Sequence, residues 1–268
     1  GLWPISWVVF SAVFFYDLSV ASGDFDVIRR SLAQLTADRR LQALLVAFGF
    51  GALIEGIAGF GAPVAITAAM LAGLGFERIT AAVLALVANT APVAFGSIGI
   101  PVTTLGALLA PILGRDVAAT TQALSAMVGR QLPFFSVLIP AYLVVLLAGW
   151  RRMVEVLPAV LVAGASFALA QFVVSNFVGP ELTDTIAALC SIGALAALLR
   201  VWRPREVYRG DHASSAQAED AVHDPRRRLV RAYATYGILV MVVLVGQIGN
   251  FAGLRELRPT LNVTALLR

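Results

Sequence analysis

Long apolar runs separated by short polar connectors make up most of the chain. The runs cover about 2–21, 41–76, 80–110, 121–150, 158–177 and 184–202, and the region 230–268 holds a further span at about 232–250. Several reach the ~20 residues that a helix needs to cross the ~30 Å hydrocarbon core of a bilayer. Only helices and closed barrels satisfy backbone polar groups in lipid, and these runs are too continuous for the alternating strands of a barrel. The pattern predicts an all-α polytopic membrane protein, a helical bundle.

Composition and charge agree with a membrane protein and exclude other classes. The chain is 59% hydrophobic and 13% charged, whereas soluble domains average about 45–50% and about 25%. All basic residues are arginines, which occur in short groups without interleaved aromatic residues, so nucleic-acid binding is not indicated. Cys190 is the single cysteine, so the sequence offers neither an intrachain disulfide nor a cysteine metal cluster. We predict no cofactor and no metal.

Arginine placement predicts the orientation of the chain in the membrane. Loops 23–40, 151–157 and 203–229 are rich in arginine, whereas the linker "GPELTD" has none. Arginine-rich loops remain on the cytoplasmic side, which places these three loops in the cytoplasm of a multi-pass protein. The run 41–76 must then begin and end on the same side, and 80–110 must cross once. We therefore expect 41–76 to be a hairpin.

The middle of that hairpin, "GALIEGIAGFGAPVAI", holds residues that interrupt helices. Gly59 and Gly61 accept backbone angles that other residues resist, and Pro63 suits the first turn of a new helix. Non-helical backbone at membrane depth is tolerated only where protein or a water-filled cavity surrounds it. The stretch predicts a re-entrant helix–tip–helix hairpin. One alternative is a pair of short helices that each cross the whole membrane. Another is that the glycines allow close helix packing and do not interrupt the helix.

The run 80–110 is interrupted in the same way. "ANTAPVAFGSIGIP" places Asn89, Thr90, two prolines and Gly99 where an ordinary spanning helix would hold leucine. Two interrupted helices close together are typical of transporter binding sites, in which half-helix N-termini present N–H groups to an anion.

Two charged residues are candidates for the chemistry of such a site. Glu55 lies far from either end of its apolar run, where an ionisable group is costly and therefore a functional candidate, although a paired or neutral structural role is the alternative. Arg130 can bind a carboxylate through two hydrogen bonds, or it can extend to the outer interface as a structural arginine. Neither a nucleophile–base pair nor an H-E-x-x-H motif is found, so we do not expect an enzyme.

Four sequence blocks resemble one known family. "FGALIEGIAGFGAPVAITAAMLAGLGF", "AAVLALVANTAPVAFGSIGIP", "GRQLPFFSVLIP" and "SNFVGPEL" are similar, in this order, to the bacterial L-lactate permease family. The resemblance covers nearly all of residues 1–205 and is weak over 206–268. It implies an inner-membrane carrier that moves lactate, or in some members glycolate, together with protons. Family members are about twice as long as this chain, which starts at Gly1 within an apolar segment, so we interpret it as part of a longer protein.

The resemblance and the residues together lead to one hypothesis. The chain is expected to be part of a proton-coupled carrier of lactate or a similar 2-hydroxymonocarboxylate, one half of an inverted-repeat transporter that moves its hairpin and broken helix against the other half. Glu55 would take up the proton and Arg130 would be the counter-charge of the substrate. The expected lining residues are Gly59, Phe60, Gly61, Ala62, Asn89 and Thr90. A carrier of another organic anion such as a dicarboxylate, coupled to sodium or protons, and an anion channel are the alternatives.

Overall fold

A computed structural model describes residues 35–59 and 61–210, with isolated positions at 10, 14, 18, 21–24, 27, 31, 228, 230, 231, 234, 238 and 241. Most of the predicted spans 2–21 and 230–268 and most of the loop 203–229 lie outside these residues. Every regular element of the described part is a helix. The helices are α1 (Arg39–Ile57), α2 (Ala62–Gly73), α3 (Arg78–Ala88), α4 (Gly96–Leu113), α5 (Val117–Ala148), α6 (Trp150–Glu155), α7 (Leu157–Phe177) and α8 (Thr183–Val201), with a 3-10 turn at Val93–Phe95.

Five helices of the described part are long and apolar enough to cross a membrane. They are α1, α4 with the 3-10 turn before it, α5, α7 and α8. The prediction of an all-α polytopic membrane protein is therefore confirmed. Helices α2 and α3 are shorter apolar helices. With 12 residues, α2 is about 18 Å long and does not reach across ~30 Å of hydrocarbon.

Helix α1 is the most enclosed element of the bundle. The side chain of Asp38 caps its first turn by accepting a hydrogen bond from the Arg40 N–H at 2.9 Å. Its middle, Leu44–Phe50, is a π-helix that is buried throughout. Since α1 contacts α2, α7 and α8, it has no broad face left for lipid. A charge at its C-terminal end must therefore be accommodated by protein.

Small residues allow the outer helices to approach one another. A Cβ at Gly164 of α7 would lie 3.0 Å from the Val137 Cα of α5, and a Cβ at Gly129 would collide with Ser175. Close backbone contact of this kind is a main source of helix association in lipid, where burial of apolar surface supplies no driving force. Helices α5, α7 and α8 accordingly form one packed layer.

The three arginine-rich segments meet at one end of this bundle. The Arg40 side chain, fully buried, pairs with Asp38 at 2.7 Å and with Glu155 at 2.5 Å, and it donates to the Glu206 carbonyl at 2.8 Å. The Asp38 carboxylate also accepts the Tyr208 N–H at 3.0 Å. The chain before α1, the α6 region and the start of the loop after α8 thus lie on the same side of the bundle.

The two ends of the run 41–76 also lie side by side. Arg39 Nη1 donates to the Gly75 carbonyl at 2.9 Å, and the Arg39 guanidinium stacks over the Phe76 ring at 5.2 Å. Since α1 leads away from this end and α2 leads back, the chain turns around between residues 58 and 61. That turn lies next to the beginning of α8, at the level where Gly56 faces Thr185.

Candidate functional site

The first break in the helices, residues 58–61, separates α1 from α2. Gly59 and Gly61 have φ angles of +57° and +84°, which lie in the left-handed region that glycine adopts without steric cost. Pro63 lies in the first turn of α2, where its missing N–H would be unpaired in any case. The residues that suggested a helix interruption in the sequence therefore form it.

The second break, residues 89–99, separates α3 from the regular part of α4. Ser97, Ile98 and Gly99 have successive φ angles of +51°, +59° and +69°. A β-branched residue such as Ile98 is rarely left-handed, and each such residue costs about 1–3 kcal/mol that surrounding contacts must offset. Gly99 approaches the backbone of Pro180 so closely that a Cβ would lie 2.8 Å from its carbonyl.

The two breaks contact each other directly. The Ser97 hydroxyl donates to the Ala58 carbonyl at 2.8 Å, which satisfies an acceptor at the end of α1. A Cβ at Gly59 would collide with the Ser97 hydroxyl. The conformation of Gly59 and its lack of a side chain are therefore both needed where the breaks meet.

Glu55 lies beside this contact, in the last turn of α1. Its side chain is 3% exposed, and its Oε1 lies so close to Gly96 that a Cβ there would overlap it. Its Oε2 has no hydrogen-bond partner in the described residues. The Asn89 side chain is the polar group of the second break that interacts with the carboxylate. Glu55 and Asn89, both predicted from the sequence, are thus brought together.

Asp184, in the first turn of α8, is a buried carboxylate that the sequence interpretation missed. It is 1% exposed, neither of its oxygens has a hydrogen-bond partner among the described residues, and it interacts electrostatically with Glu55. Gly56 permits the approach, since a Cβ there would lie 3.1 Å from the Asp184 Cβ. In the sequence Asp184 ends the polar linker "GPELTD", which predicts a loop residue. The only indication of its burial was its position as the first residue of an apolar run.

Gln171 of α7 ties the second break to the bundle. Its fully buried side chain donates to the Ala91 carbonyl at 3.2 Å and accepts a hydrogen bond from the Ser136 hydroxyl at 2.8 Å. It also lies close enough to Asp184 to act on its charge, although not at hydrogen-bonding geometry. A buried amide held from two sides can orient the groups around it.

The remaining predicted lining residues lie at the rim of the breaks. Gly61 is exposed and has no atom within 4 Å of where a Cβ would be, and Ala62 is half-buried. Thr90 is exposed, and its hydroxyl donates to the carbonyl of Val87, in the last turn of α3, at 2.7 Å. Phe60 lies outside the described residues.

Arg130 stands apart from the carboxylates. It is exposed on α5, where its Nε donates to the Asn176 Oδ1 at 3.1 Å. No described contact joins it to Glu55 or Asp184. The described residues also contain no group of three or more His, Cys, Asp or Glu side chains that could hold a metal ion.

The arrangement can bind protons and small polar molecules. Two buried carboxylates with unpaired oxygens lie where the two helix breaks meet the start of α8. Carboxyl groups buried within a membrane protein are typical of proton relays and ion pathways.

Comparison with known proteins identifies the family. Residues 1–266 match the family described as L-lactate permease. The chain is 47% identical over 253 residues to an L-lactate permease of Bacillus subtilis (strain 168), with 91% of this chain and 44% of that protein covered. It is 46% identical over 265 residues to the glycolate permease GlcA of Escherichia coli (strain K12), with 95% and 46% covered. An L-lactate permease of Salmonella typhimurium (strain LT2) is 45% identical over 257 residues, with 95% and 45% covered.

The chain spans about half the length of the curated relatives that it matches. No solved structure matches it. The match nevertheless runs through both helix breaks and all five long apolar helices. The predicted resemblance is confirmed, and this chain belongs to the L-lactate permease family.

Proposed function

We propose that this chain is part of a secondary active transporter that moves L-lactate or glycolate across a bacterial inner membrane together with protons. The relatives named L-lactate permease and glycolate permease support the substrate class, since both are similar to this chain over more than nine-tenths of its length. Both relatives are named as permeases, which are transporters and not enzymes. Because the chain spans about half of those relatives, the activity is proposed for the whole protein.

The observation that carries the proposal is the meeting of the two helix breaks at Glu55. The Ser97 hydroxyl joins the breaks at Ala58, and Gly96 of the second break lies against the Glu55 carboxylate. Interrupted helices whose ends face a common point are the usual binding architecture of secondary transporters. A passive membrane scaffold has no need for a buried carboxylate at that point.

The substrate carboxylate is proposed to bind at the first break. Gly61 borders open space, and the backbone N–H groups of α2 begin at Ala62. A helix N-terminus offers unpaired donors and partial positive charge to an anion. Gly59, Phe60, Asn89 and Thr90 complete the proposed lining, in which the two polar side chains would bond the hydroxyl of a 2-hydroxymonocarboxylate.

Arg130 is proposed as the counter-charge of the substrate. Its guanidinium is exposed and uses its Nε for Asn176, which leaves the two terminal nitrogens for a carboxylate. A movement of α5 relative to α1 during transport would bring Arg130 toward the breaks. Its binding role therefore belongs to another state of the transport cycle.

The coupled proton is proposed to reside on Glu55. A buried carboxyl group can bind a proton and release it, and such groups are typical of proton pathways within membranes. Binding of a lactate anion and one proton would carry no net charge across the membrane. Movement of the hairpin and the broken helix against the other half of an inverted-repeat carrier would then expose the site to either side.

The arginine-rich end of the bundle is proposed to face the cytoplasm. Segments 23–40, 151–157 and 203–229 supply its positive charge, and the contacts around Arg40 hold residues of all three together. The first break then lies on the far side of the bundle from these loops. The hairpin is proposed to be re-entrant, because α2 is too short to cross by itself.

Transport by the whole protein in proteoliposomes tests this function. We expect an inward proton gradient to drive accumulation of L-lactate, competition by glycolate, and no competition by succinate. Accumulation driven by a sodium gradient alone would contradict proton coupling. Preferential uptake of succinate would indicate a dicarboxylate carrier, and a current that does not saturate with lactate concentration would indicate a channel.

A further inference from the structure

We propose that Asp184 is a second proton-binding residue and that Asp184 and Glu55 share one coupling proton between α8 and α1. This inference rests on the proposed proton-coupled transport. It assigns proton binding to Asp184, a residue that the sequence motifs did not indicate. The side chains of Asp184 and Glu55 are 1% and 3% exposed, and Gly56, the residue after Glu55, lies so close to Asp184 that a Cβ there would be 3.1 Å from the Asp184 Cβ.

Several buried side-chain oxygens at this point have no hydrogen-bond partner among the described residues. They are both oxygens of Asp184, the Oε2 of Glu55 and the hydroxyl of Thr185. Buried polar groups are almost always paired in native proteins, so each exception requires an explanation. The three side chains lie close together, since a Cβ at Gly56, the residue after Glu55, would lie 2.9 Å from the Thr185 hydroxyl and 3.1 Å from the Asp184 Cβ.

The same chain shows how a buried carboxylate is satisfied when its role is structural. Asp38 is 1% exposed, and its two oxygens accept bonds from Arg40 and from the Tyr208 N–H. Neither Glu55 nor Asp184 has an ion pair in the described residues. The two carboxylates therefore lack the hydrogen-bond and ion-pair partners that a buried carboxylate with a structural role requires.

A shared proton would give the unpaired carboxylate oxygens a hydrogen bond. When one carboxyl is protonated, its O–H can donate to the other carboxylate, which satisfies an oxygen of each and leaves a single negative charge. Two charged carboxylates side by side would repel each other in a medium that screens poorly. When the proton leaves with the substrate, that repulsion returns and favours separation of α1 from α8.

The groups around the pair supply no competing charge in the described residues. Asn89 faces Glu55 from the second break, and Gln171 faces Asp184 from α7. Both are neutral amides. Glu181, in the turn before α8, lies beside Gly179, and its Oε2 would be 2.8 Å from a Cβ there. The protonation of the pair thus depends on pH and on the two carboxyls themselves.

Variants of the whole protein in proteoliposomes separate coupling from substrate binding. For Asp184→Asn, we expect the lactate accumulation ratio under a proton gradient to fall to about one, because a carrier without its proton site only equilibrates its substrate. Exchange of labelled for unlabelled lactate should persist and should lose its dependence on pH. Asp184→Glu, which keeps a carboxyl, should retain part of the accumulation. Asp116→Asn is the matched control, since Asp116 is exposed and asparagine caps a helix equally well.

Accumulation by Asp184→Asn at the level of the unaltered protein would overturn the shared proton, even if Glu55→Gln abolished accumulation and so upheld the proposed function. Loss of exchange together with accumulation would also overturn it, because Asp184 would then serve folding or substrate binding. A failure of the unaltered protein to use a proton gradient would instead contradict the proposed function itself.

A second measurement needs no variant. Dicyclohexylcarbodiimide is an apolar reagent that modifies protonated carboxyl groups within membranes. Applied to the unaltered whole protein at neutral pH, it should modify Glu55 or Asp184 but not both in one molecule. Mass spectrometry of the intact protein counts the adducts in each molecule, and digestion then locates them. Modification of neither residue, or of both together, would overturn a single shared proton.

Discussion

The Glu55 carboxylate lies against the backbone of Gly96, where a Cβ would overlap its Oε1. Glu55 lies in the last turn of α1 and Gly96 is the first residue of α4, so the contact fixes the position of the carboxylate relative to the second break. Gly96 has ordinary backbone angles of φ −60° and ψ 162°, and its lack of a side chain is therefore required by space alone.

Gly96→Ala should destabilise the protein by about 1–3 kcal/mol, the usual cost of an overpacked site. Thermal unfolding in detergent measures the loss. Glu55→Asp, whose side chain is one methylene shorter, should restore part of the stability when combined with Gly96→Ala. Gly193→Ala is the control, since a Cβ at Gly193 meets no atom within 4 Å. Equal stability of the two alanine variants would contradict the close contact.

Glu55→Gln should abolish lactate accumulation against a gradient and leave exchange of lactate in place, because the amide keeps the shape of the side chain and cannot carry the proton. Accumulation and exchange are measured side by side in proteoliposomes. Glu77→Gln serves as the control, since Glu77 is exposed at the start of α3 and its acceptor for Thr80 is retained in the amide. Undiminished accumulation in Glu55→Gln would remove Glu55 from the mechanism.

Arg130→Ala should raise the KM for lactate about 10- to 100-fold, since a hydrogen bond to a charged group contributes roughly 1.5–3 kcal/mol. Initial uptake rates at several lactate concentrations give this value. Arg115→Ala, at an exposed position in the turn between α4 and α5, should leave KM unchanged. If Arg130→Ala lowers only the amount of protein in the membrane, Arg130 is a structural arginine at the interface.

A cysteine at Gly61 or Ala62 should react with a water-soluble thiol reagent and be protected by lactate, because Gly61 borders open space. The exposed Cys190 must first be replaced by serine so that it does not react. Labelling is measured by mass in the presence and absence of lactate. Cysteines that remain unreactive under both conditions would contradict an open site at the first break.

Asp38→Asn should destabilise the protein by about 3 kcal/mol, because it leaves the buried Arg40 guanidinium without its enclosed partner. Glu155→Gln should cost less than about 1 kcal/mol, since the Glu155 side chain is 45% exposed. Thermal unfolding in detergent compares the two. The reverse order would contradict the central place of Asp38 among the arginine-rich segments.

Local chemistry in the sequence was sufficient to predict the class and the helix interruptions. Apolar runs require helices in lipid wherever they occur, and Gly59, Gly61 and Pro63 interrupt a helix through their own backbone preferences. The free-energy cost of placing the ionisable Glu55 inside an apolar run could likewise be judged from its neighbours in the chain. These features depend on residues close together in sequence.

Only the tertiary structure showed which of those features meet. The proximity of Glu55 to Asp184, the contact of Gln171 in α7 with the second break, and the separation of Arg130 from both carboxylates depend on how distant helices pack. Asp184 ends a polar linker, and its burial could not be judged from the sequence because it is produced by α1 and not by its own segment. Residues close together in sequence thus account for the helices and their breaks, whereas the contact between α1 and α8 accounts for the two carboxylates that lie together in the interior.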